Sequence, residues 1–117
     1  MFVGQHEHSL DGKGRVVLPA PFRASVAERG YVTRLDNCIG LWSQEGFQEV
    51  AEKWKTQRDD GQITNSVFRK FITSVNEVKL DSAGRITLPR LLLDELAFET
   101  QVVVSGLYDR VEIWPAE

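Results

Sequence analysis

The chain has 117 residues, 42% of them hydrophobic and 26% charged, which is enough apolar material for one ordinary folded domain. The net charge of −3 argues against a protein that coats nucleic acid by bulk charge, and the single cysteine, Cys38, excludes an internal disulfide framework. No apolar run is long enough to span a membrane and no secretory signal begins the chain, so we expect a cytoplasmic protein without a membrane partner.

A first group of predicted elements follows the N-terminus. The stretch "LDGKGRVVLP", residues 10–19, contains an Asp-x-x-Gly-Arg turn and then a short strand, rich in β-branched residues, that ends at a proline. Pro21 favours the first turn of a short helix, with Gly30 just past its end. Two more strands, "YVTRL" and "CIGLW", flank Asp36-Asn37, a pair that tolerates the left-handed backbone angles of a tight hairpin.

A helical segment comes next. Apolar residues between 47 and 54 recur at the spacing of one helix face, and Ser43 is suited to cap the start of that helix. After a break at "RDDGQ", a second apolar stripe begins, with Thr64 or Asn65 as its cap. We interpret the aromatic residues of both stripes as core packing.

The decapeptide then returns. "LDSAGRITLP", residues 80–89, is identical to "LDGKGRVVLP" at six of ten positions, and each copy leads through a short helix into two strands that end in tryptophan, at Trp42 and Trp114. The second pair of strands flanks Tyr108-Asp109 as the first pair flanks Asp36-Asn37. Two copies predict a pseudo-twofold domain rather than a solenoid. The predicted divisions are module 1 at 5–47, a helical connector at 48–75 and module 2 at 76–117.

The repeated turn contains residues of two kinds. Its aspartate can accept hydrogen bonds from backbone N–H groups two residues on, and its glycine can supply a positive φ angle. We interpret these turn residues as structural: Asp11, Gly14, Asp81 and Gly84. Arg15 and Arg85 both follow the glycine, although a turn does not need arginine. They form a structural ion pair with a carboxylate, or they point outward to bind phosphate or guanine.

Catalytic and metal-binding interpretations find weaker support. Asp11 and Asp81 lie in related turns and are loosely similar to the paired carboxylates of an acid hydrolase, but an arginine four residues after each would keep it ionised. His6 and His8 share a strand face, yet no further metal ligand occurs at motif spacing. The chain also lacks a phosphate-binding glycine loop, HExxH and GxSxG. We therefore expect a protein that is not an enzyme and holds neither a metal nor a cofactor.

The tandem "LDxxGRxxLP", together with "PAPFR", "CIGLW" and "VEIW", resembles the MraZ family, and the similarity extends from "MFVG" to "IWP". The resemblance implies an α+β fold, mostly β: an AbrB-like swapped-hairpin β-barrel built from two tandem SpoVT-AbrB modules with short connecting helices. It also implies a ring-shaped homo-oligomer on the nucleoid. Such an assembly binds short direct repeats of double-stranded DNA upstream of the division and cell-wall gene cluster, including its own operon, and regulates transcription there.

The resemblance also assigns DNA-binding residues, which are Lys13, Arg15, Arg23 and Arg85. We expect Arg15 to read base edges and Lys13 and Arg23 to contact phosphates. Ala83 and Leu93 replace Lys13 and Arg23 in the second copy, so we expect module 2 to contact DNA less and mainly to complete the barrel. A ring that presents the basic turn several times would compensate for the acidic net charge through avidity.

A protein-interaction module of the antitoxin type is the alternative, because AbrB-like barrels also occur in antitoxins. Two modules without a disordered tail count against it. Members of the MraZ family continue past "IWP" into another helix, so we expect the subunit contacts of such a helix to be missing from a chain that ends at Glu117.

Overall fold

A computed structural model describes residues 1–116, which form eight strands and four helices. The strands are β1 (Phe2–Ser9), β2 (Arg15–Val17), β3 (Arg29–Arg34), β4 (Ile39–Ser43), β5 (Asn76–Lys79), β6 (Arg85–Thr87), β7 (Gln101–Tyr108) and β8 (Val111–Pro115). The helices are α1 (Ala20–Val26), α2 (Gln44–Asp59), α3 (Asn65–Thr73) and α4 (Arg90–Glu95). Elements follow the repeated decapeptide in the same order in both copies, as the sequence predicts.

Six strands form one antiparallel sheet in the order β1-β7-β8-β4-β3-β5, so strands from the two ends of the chain lie side by side. Strand β8 pairs with β4, where Ile113 lies opposite Ile39. Strands β2 and β6 form a separate antiparallel ribbon, in which Val16 lies opposite Ile86. The predicted α+β class with mostly β structure is confirmed.

The predicted closed barrel is not found in residues 1–116. The large sheet is open, with β1 and β5 as its outer strands, and the ribbon strands pair only with each other. Closure needs strands that continue hydrogen bonding around the whole circuit. Here β1 and β5 each end at a repeated turn, where Gly14 and Gly84 adopt φ angles of 76° and 75°, and the chain leaves the sheet for a strand of only three residues.

The core lies between the large sheet, the ribbon and the two short helices α1 and α4. Both copies of the decapeptide supply it in the same way, because Leu18 and Leu88 are each at most 2% exposed. Phe2 of β1 packs edge-on against Phe22 of α1, with ring centroids 5.5 Å apart. The other fully buried large side chains are Val16, Val32, Ile39, Leu41, Ile86, Leu93, Val102, Val104 and Ile113. One continuous core therefore joins the two copies.

Helices α2 and α3 lie outside this core. Their predicted caps are confirmed, because the Ser43 hydroxyl accepts a hydrogen bond from the Gly46 N–H at 3.1 Å and the Thr64 hydroxyl accepts one from the Val67 N–H at 3.1 Å. The prediction that their aromatic residues belong to the core is wrong, since neither helix contains a buried residue among those described. The aromatic rings instead form a half-buried stack, in which Phe71 lies 4.0 Å from Trp54 between ring centroids.

Two turn predictions need correction. Helix α1 ends at Val26 and the residue just past its end is Ala27, with a φ angle of 61°, rather than Gly30. Gly30 lies within β3, where a Cβ would come 2.7 Å from Leu41 Cδ1, so the glycine allows close packing rather than a helix end. In the hairpin between β7 and β8, Tyr108 has a positive φ angle of 73°. Neither residue of the Asp36-Asn37 pair has a positive φ angle.

Gly106 offers a test of how tightly β7 packs on β1. A Cβ at this position would lie 2.5 Å from the Val3 nitrogen and 2.6 Å from the Phe2 carbonyl carbon, both backbone atoms of the paired strand. Gly106→Ala should lower the free energy of unfolding by about 1–3 kcal/mol, because relief requires the strands to separate locally. Chemical denaturation at one fixed protein concentration measures this change.

Gly12→Ala is the matched control, because nothing lies within 4 Å of a Cβ added there. We expect this variant to stay within about 0.5 kcal/mol of the unsubstituted protein. Equal destabilisation by the two substitutions would contradict the steric explanation.

Candidate nucleic-acid interface

The Asp11 carboxylate organises the first turn. Its Oδ1 atom accepts hydrogen bonds from the backbone N–H groups of Lys13 and Arg15, both at 2.9 Å. Its Oδ2 atom accepts a hydrogen bond from Arg15 Nε at 2.6 Å. The carboxylate therefore closes the turn and also fixes the direction of the arginine side chain.

The second turn has the same construction. Asp81 Oδ1 accepts from the N–H groups of Ala83 at 2.9 Å and Arg85 at 2.8 Å, and Asp81 Oδ2 accepts from Arg85 Nε at 2.8 Å. Gly84 provides the positive φ angle of this turn. The identical aspartate, glycine and arginine of the two decapeptides thus form one local structure twice.

Arg15 and Arg85 combine the two roles that the sequence leaves open, which are a structural ion pair and an outward-pointing side chain. Arg15 and Arg85 each use Nε to bind the turn aspartate, and their side chains remain 29% and 32% exposed. Within residues 1–116 the terminal Nη atoms of Arg15 have no hydrogen-bond partner, and Arg85 Nη1 lies 3.8 Å from Asp11 Oδ2. Each guanidinium is therefore held in place through Nε, while the Nη atoms of Arg15 stay available and Nη1 of Arg85 also lies at ion-pair distance from Asp11.

The ribbon brings these arginines together on one face. Arg15 lies opposite Thr87, and Val17 lies opposite Arg85. Because side chains alternate along a strand, these four residues point away from the core while Val16 and Ile86 point into it. Val17 is 38% exposed, so the outer face of the ribbon presents two arginines and two β-branched side chains.

Backbone hydrogen bonds connect each decapeptide to the other. The Leu18 N–H donates to the Gly84 carbonyl at 3.0 Å, and the Leu88 N–H donates to the Gly14 carbonyl at 2.9 Å. The end of each ribbon strand is therefore attached to the turn of the opposite copy.

The short helices α1 and α4 also lie over the turn of the opposite copy. Arg23 of α1 packs over Gly84, in the space that a Cβ on this glycine would occupy. Leu93 of α4 packs over Gly14, with Cδ1 3.0 Å from the corresponding Cβ position. Arg23 thus lies beside the second turn, although its position in the sequence groups it with the first. Sequence reasoning missed this placement because the two copies have the same local pattern whichever turn each helix covers.

The structure gathers all four sequence-predicted cations around the ribbon. Lys13 is exposed on the first turn, and among residues 1–116 its ammonium group has no carboxylate within ion-pair distance. Arg15 and Arg85 lie on the ribbon itself, and Arg23 lies at its second turn. This local concentration of positive charge contrasts with the negative net charge of the chain.

The carboxylates do not have the properties of a proton-sharing pair. The backbone N–H of Arg15, followed by its guanidinium and the N–H of Lys13, lowers the pKa of Asp11 to about 2 against the opposing effect of desolvation. The backbone N–H of Arg85 is likewise the main cause that lowers the pKa of Asp81. A shared proton requires one raised pKa, so this geometry opposes the hydrolase interpretation.

The other candidate groups also have structural surroundings. His6 packs edge-on against Phe22 at 5.6 Å between ring centroids. Burial raises the pKa of the Cys38 thiol to about 12, which makes it a poor nucleophile. The described part of the chain, 1–116, contains no cluster of three or more metal-ligating side chains. None of its helices combines the length and apolar character needed to cross a membrane.

Comparison with known proteins identifies the family. A family model described as "MraZ protein, putative antitoxin-like" matches residues 1–64 and 71–117. The chain belongs to the MraZ family. A relative from Natranaerobius thermophilus is 39% identical over 100% of this chain and 82% of its own length. Relatives from Caldanaerobacter subterraneus and Desulforamulus reducens are each 36% identical over 100% of this chain, and over 82% and 83% of their own lengths. All three are named "Transcriptional regulator MraZ".

The lowered pKa of Asp11 predicts how the stability of the turn depends on pH. A carboxylate whose pKa falls on folding stabilises the folded state above its ordinary pKa, 3.8, and that contribution is lost as the pH falls towards about 2. Asp11→Asn removes the titrating group. The difference in unfolding free energy between the unsubstituted protein and this variant should therefore be largest above pH 3.8 and shrink towards pH 2.

Denaturant unfolding over this acidic range measures the difference. Asp94→Asn on α4 is the control for loss of a carboxylate, because the Asp94 side chain has no hydrogen-bond partner among residues 1–116. A difference for Asp11→Asn that stays constant over this range would show that the carboxylate does not stabilise the turn in its ionised form.

Proposed function

We propose that this protein is a transcriptional regulator that binds double-stranded DNA through the β2–β6 ribbon and its two turns. The observation that carries the proposal is the pair of partly exposed arginines, Arg15 and Arg85, each bound through Nε to a turn aspartate. Relatives named as transcriptional regulators support the same conclusion.

The shape of the ribbon suits this role. A two-stranded β-ribbon fits the major groove of B-form DNA, where guanine presents two acceptors that match the planar donors of arginine. The aspartates hold both guanidinium groups in place before DNA arrives, so less side-chain freedom is lost on binding. Thr87 lies opposite Arg15 and Val17 lies opposite Arg85, so both offer methyl groups on the outer face for contact with the methyl group of thymine.

The assembly forms a second part of the proposal. We infer a ring-shaped homo-oligomer in which each subunit presents one ribbon, so that several weak contacts combine on DNA that carries short direct repeats. The repeated ribbons of such a ring explain how a chain with a net charge of −3 can bind DNA, which is a polyanion. We place these repeats upstream of the division and cell-wall gene cluster, including the protein's own operon, and the protein on the nucleoid in the cytoplasm.

The module division also belongs to the proposal. We propose that residues 5–47 and 76–117 are two SpoVT-AbrB-like modules joined by the helical connector 48–75, in a swapped-hairpin arrangement. The reciprocal hydrogen bonds from Leu18 to Gly84 and from Leu88 to Gly14 support the exchange between them.

An antitoxin-type interaction module is the second candidate, favoured by the "antitoxin-like" description of the family model. Such a module would bind a partner protein as its main activity. A mobility-shift assay with the DNA upstream of the protein's own gene, compared with scrambled DNA, separates the two functions. Selective binding of the upstream DNA favours the regulator, and equal weak binding of both DNAs favours the interaction module.

Arg15→Ala tests the base-reading role. We expect the variant to lose selective binding of the upstream DNA in the mobility-shift assay, because the guanidinium that faces the groove is gone. The oligomer size and unfolding midpoint should change little, since the lost ion pair is partly exposed and the backbone N–H groups of Lys13 and Arg15 still bond Asp11.

Arg29→Ala is the matched control for charge. Arg29 lies on β3 and pairs with Glu77 of β5 at 2.8 Å, outside the two ribbon strands. The Arg29→Ala variant should bind DNA about as tightly as the unsubstituted protein does. If the two variants bind alike, Arg15 does not read the DNA.

Lys13→Ala tests the phosphate contact at the first turn. The slope of log affinity against log salt should become less steep by about 0.9 for each subunit that contacts DNA, because one phosphate contact is lost. Binding measured between about 50 and 200 mM salt gives this slope.

Ala83→Lys is the complementary variant, because it adds an ammonium group at the equivalent position of the second turn. It should make the slope steeper if the second turn also lies against DNA.

An unchanged slope in Lys13→Ala would remove Lys13 from the interface.

A further inference from the structure

A cavity of about 210 Å³ lies between the first turn and the segment that contains α4. The turn contributes Gly12 and Gly14 to its lining, and the second copy contributes Arg90, Leu93 and Phe98. Leu10 and Asp11 also line this side of the cavity, but nothing lies within 4 Å of a Cβ added to Gly12. The surface of the first turn is therefore open to an approaching group at Gly12.

Arg90 brings an unpaired guanidinium to this cavity. Its Nη2 atom lies 3.7 Å from the position of a Cβ on Gly14, so the guanidinium reaches the first turn from the second copy. Among residues 1–116, Arg90 has no side-chain hydrogen bond and no carboxylate within ion-pair distance. Glu99 also lines the cavity without pairing with Arg90, and Asp11 is already bonded to Arg15.

The equivalent place at the second turn is built differently. Counting from Pro19 and Pro89, Ala20 corresponds to Arg90 and Arg23 corresponds to Leu93. Arg23 fills the space over Gly84, whereas the shorter Leu93 leaves the cavity beside the first turn. Each turn thus receives one arginine from the opposite copy, at a different position of the covering helix.

We infer that Arg90 binds a backbone phosphate of the DNA beside the first turn. Each DNA-binding unit then combines the turn of one copy with an arginine of the other: Arg90 joins Lys13 and Arg15, while Arg23 joins Arg85. The planar donors of an unpaired guanidinium suit a phosphate, and phosphate contacts set the position of a protein on DNA. The inference rests on the proposed DNA-binding function and adds the contribution of the second copy to it.

Arg90→Ala tests the inference. The slope of log affinity against log salt should become less steep by about 0.9 for each DNA-bound subunit, as for the loss of any single phosphate contact. Affinity for the upstream DNA and for scrambled DNA should fall by the same factor, because phosphate carries no sequence information. Arg90→Lys, which keeps a cation, should restore most of the slope.

Arg69→Ala is the matched control, because it removes another exposed arginine, which lies on α3 outside the ribbon and its turns. Its slope should equal that of the unsubstituted protein. Arg90→Gln keeps the aliphatic part of the side chain and replaces Arg90→Ala if the oligomer size of the alanine variant changes.

The outcomes separate the two proposals. A slope for the Arg90 variants equal to that of Arg69→Ala overturns the inference while DNA binding by the unsubstituted protein stands. A loss of affinity confined to the upstream DNA assigns Arg90 to a base and also overturns it. If the unsubstituted protein shows no selective binding at any salt concentration, the proposed function itself fails.

Discussion

The exchange of backbone hydrogen bonds between the two decapeptides is the constraint on which the structure depends. Leu18 donates to Gly84, and Leu88 donates to Gly14, so a carbonyl of each turn accepts a hydrogen bond from the other copy. This exchange pairs β2 with β6 and buries Leu18 and Leu88 in one core. It also brings each short helix over the turn of the other copy. The positions of the cations around the ribbon follow from it.

The aspartate of each turn has two effects on these cations. It closes the turn by accepting backbone N–H bonds, and it holds the following arginine through Nε, as Asp11 does for Arg15. Because the carboxylate stays ionised, it reduces the net charge that the ribbon presents. A surface of this kind presents oriented arginines rather than a strongly positive electrostatic field. It therefore fits recognition of DNA by hydrogen bonding, combined with repeated weak contacts.

Predictions from the sequence held where the interactions are local. The helix caps at Ser43 and Thr64 are hydrogen bonds that span three residues, and the order of strands and helices follows short apolar patterns. Predictions that depended on packing were less successful. Gly30 serves close contact with Leu41 in a sheet that the local pattern does not reveal, and the aromatic residues of α2 and α3 form a stack outside the core.

The sequence by itself determined the two turns, since an aspartate, a glycine with positive φ and an arginine within five residues satisfy one another without help from distant parts of the chain. Tertiary structure alone decided which helix covers which turn, and hence that Arg23 lies at the second turn and Arg90 at the first. It also decided that the large sheet stays open. The physical reason is that two similar copies have the same local preferences. A helix that covers the turn of its own copy meets those local preferences as well as a helix that covers the turn of the opposite copy. Only the packing of the shared core distinguishes the two arrangements.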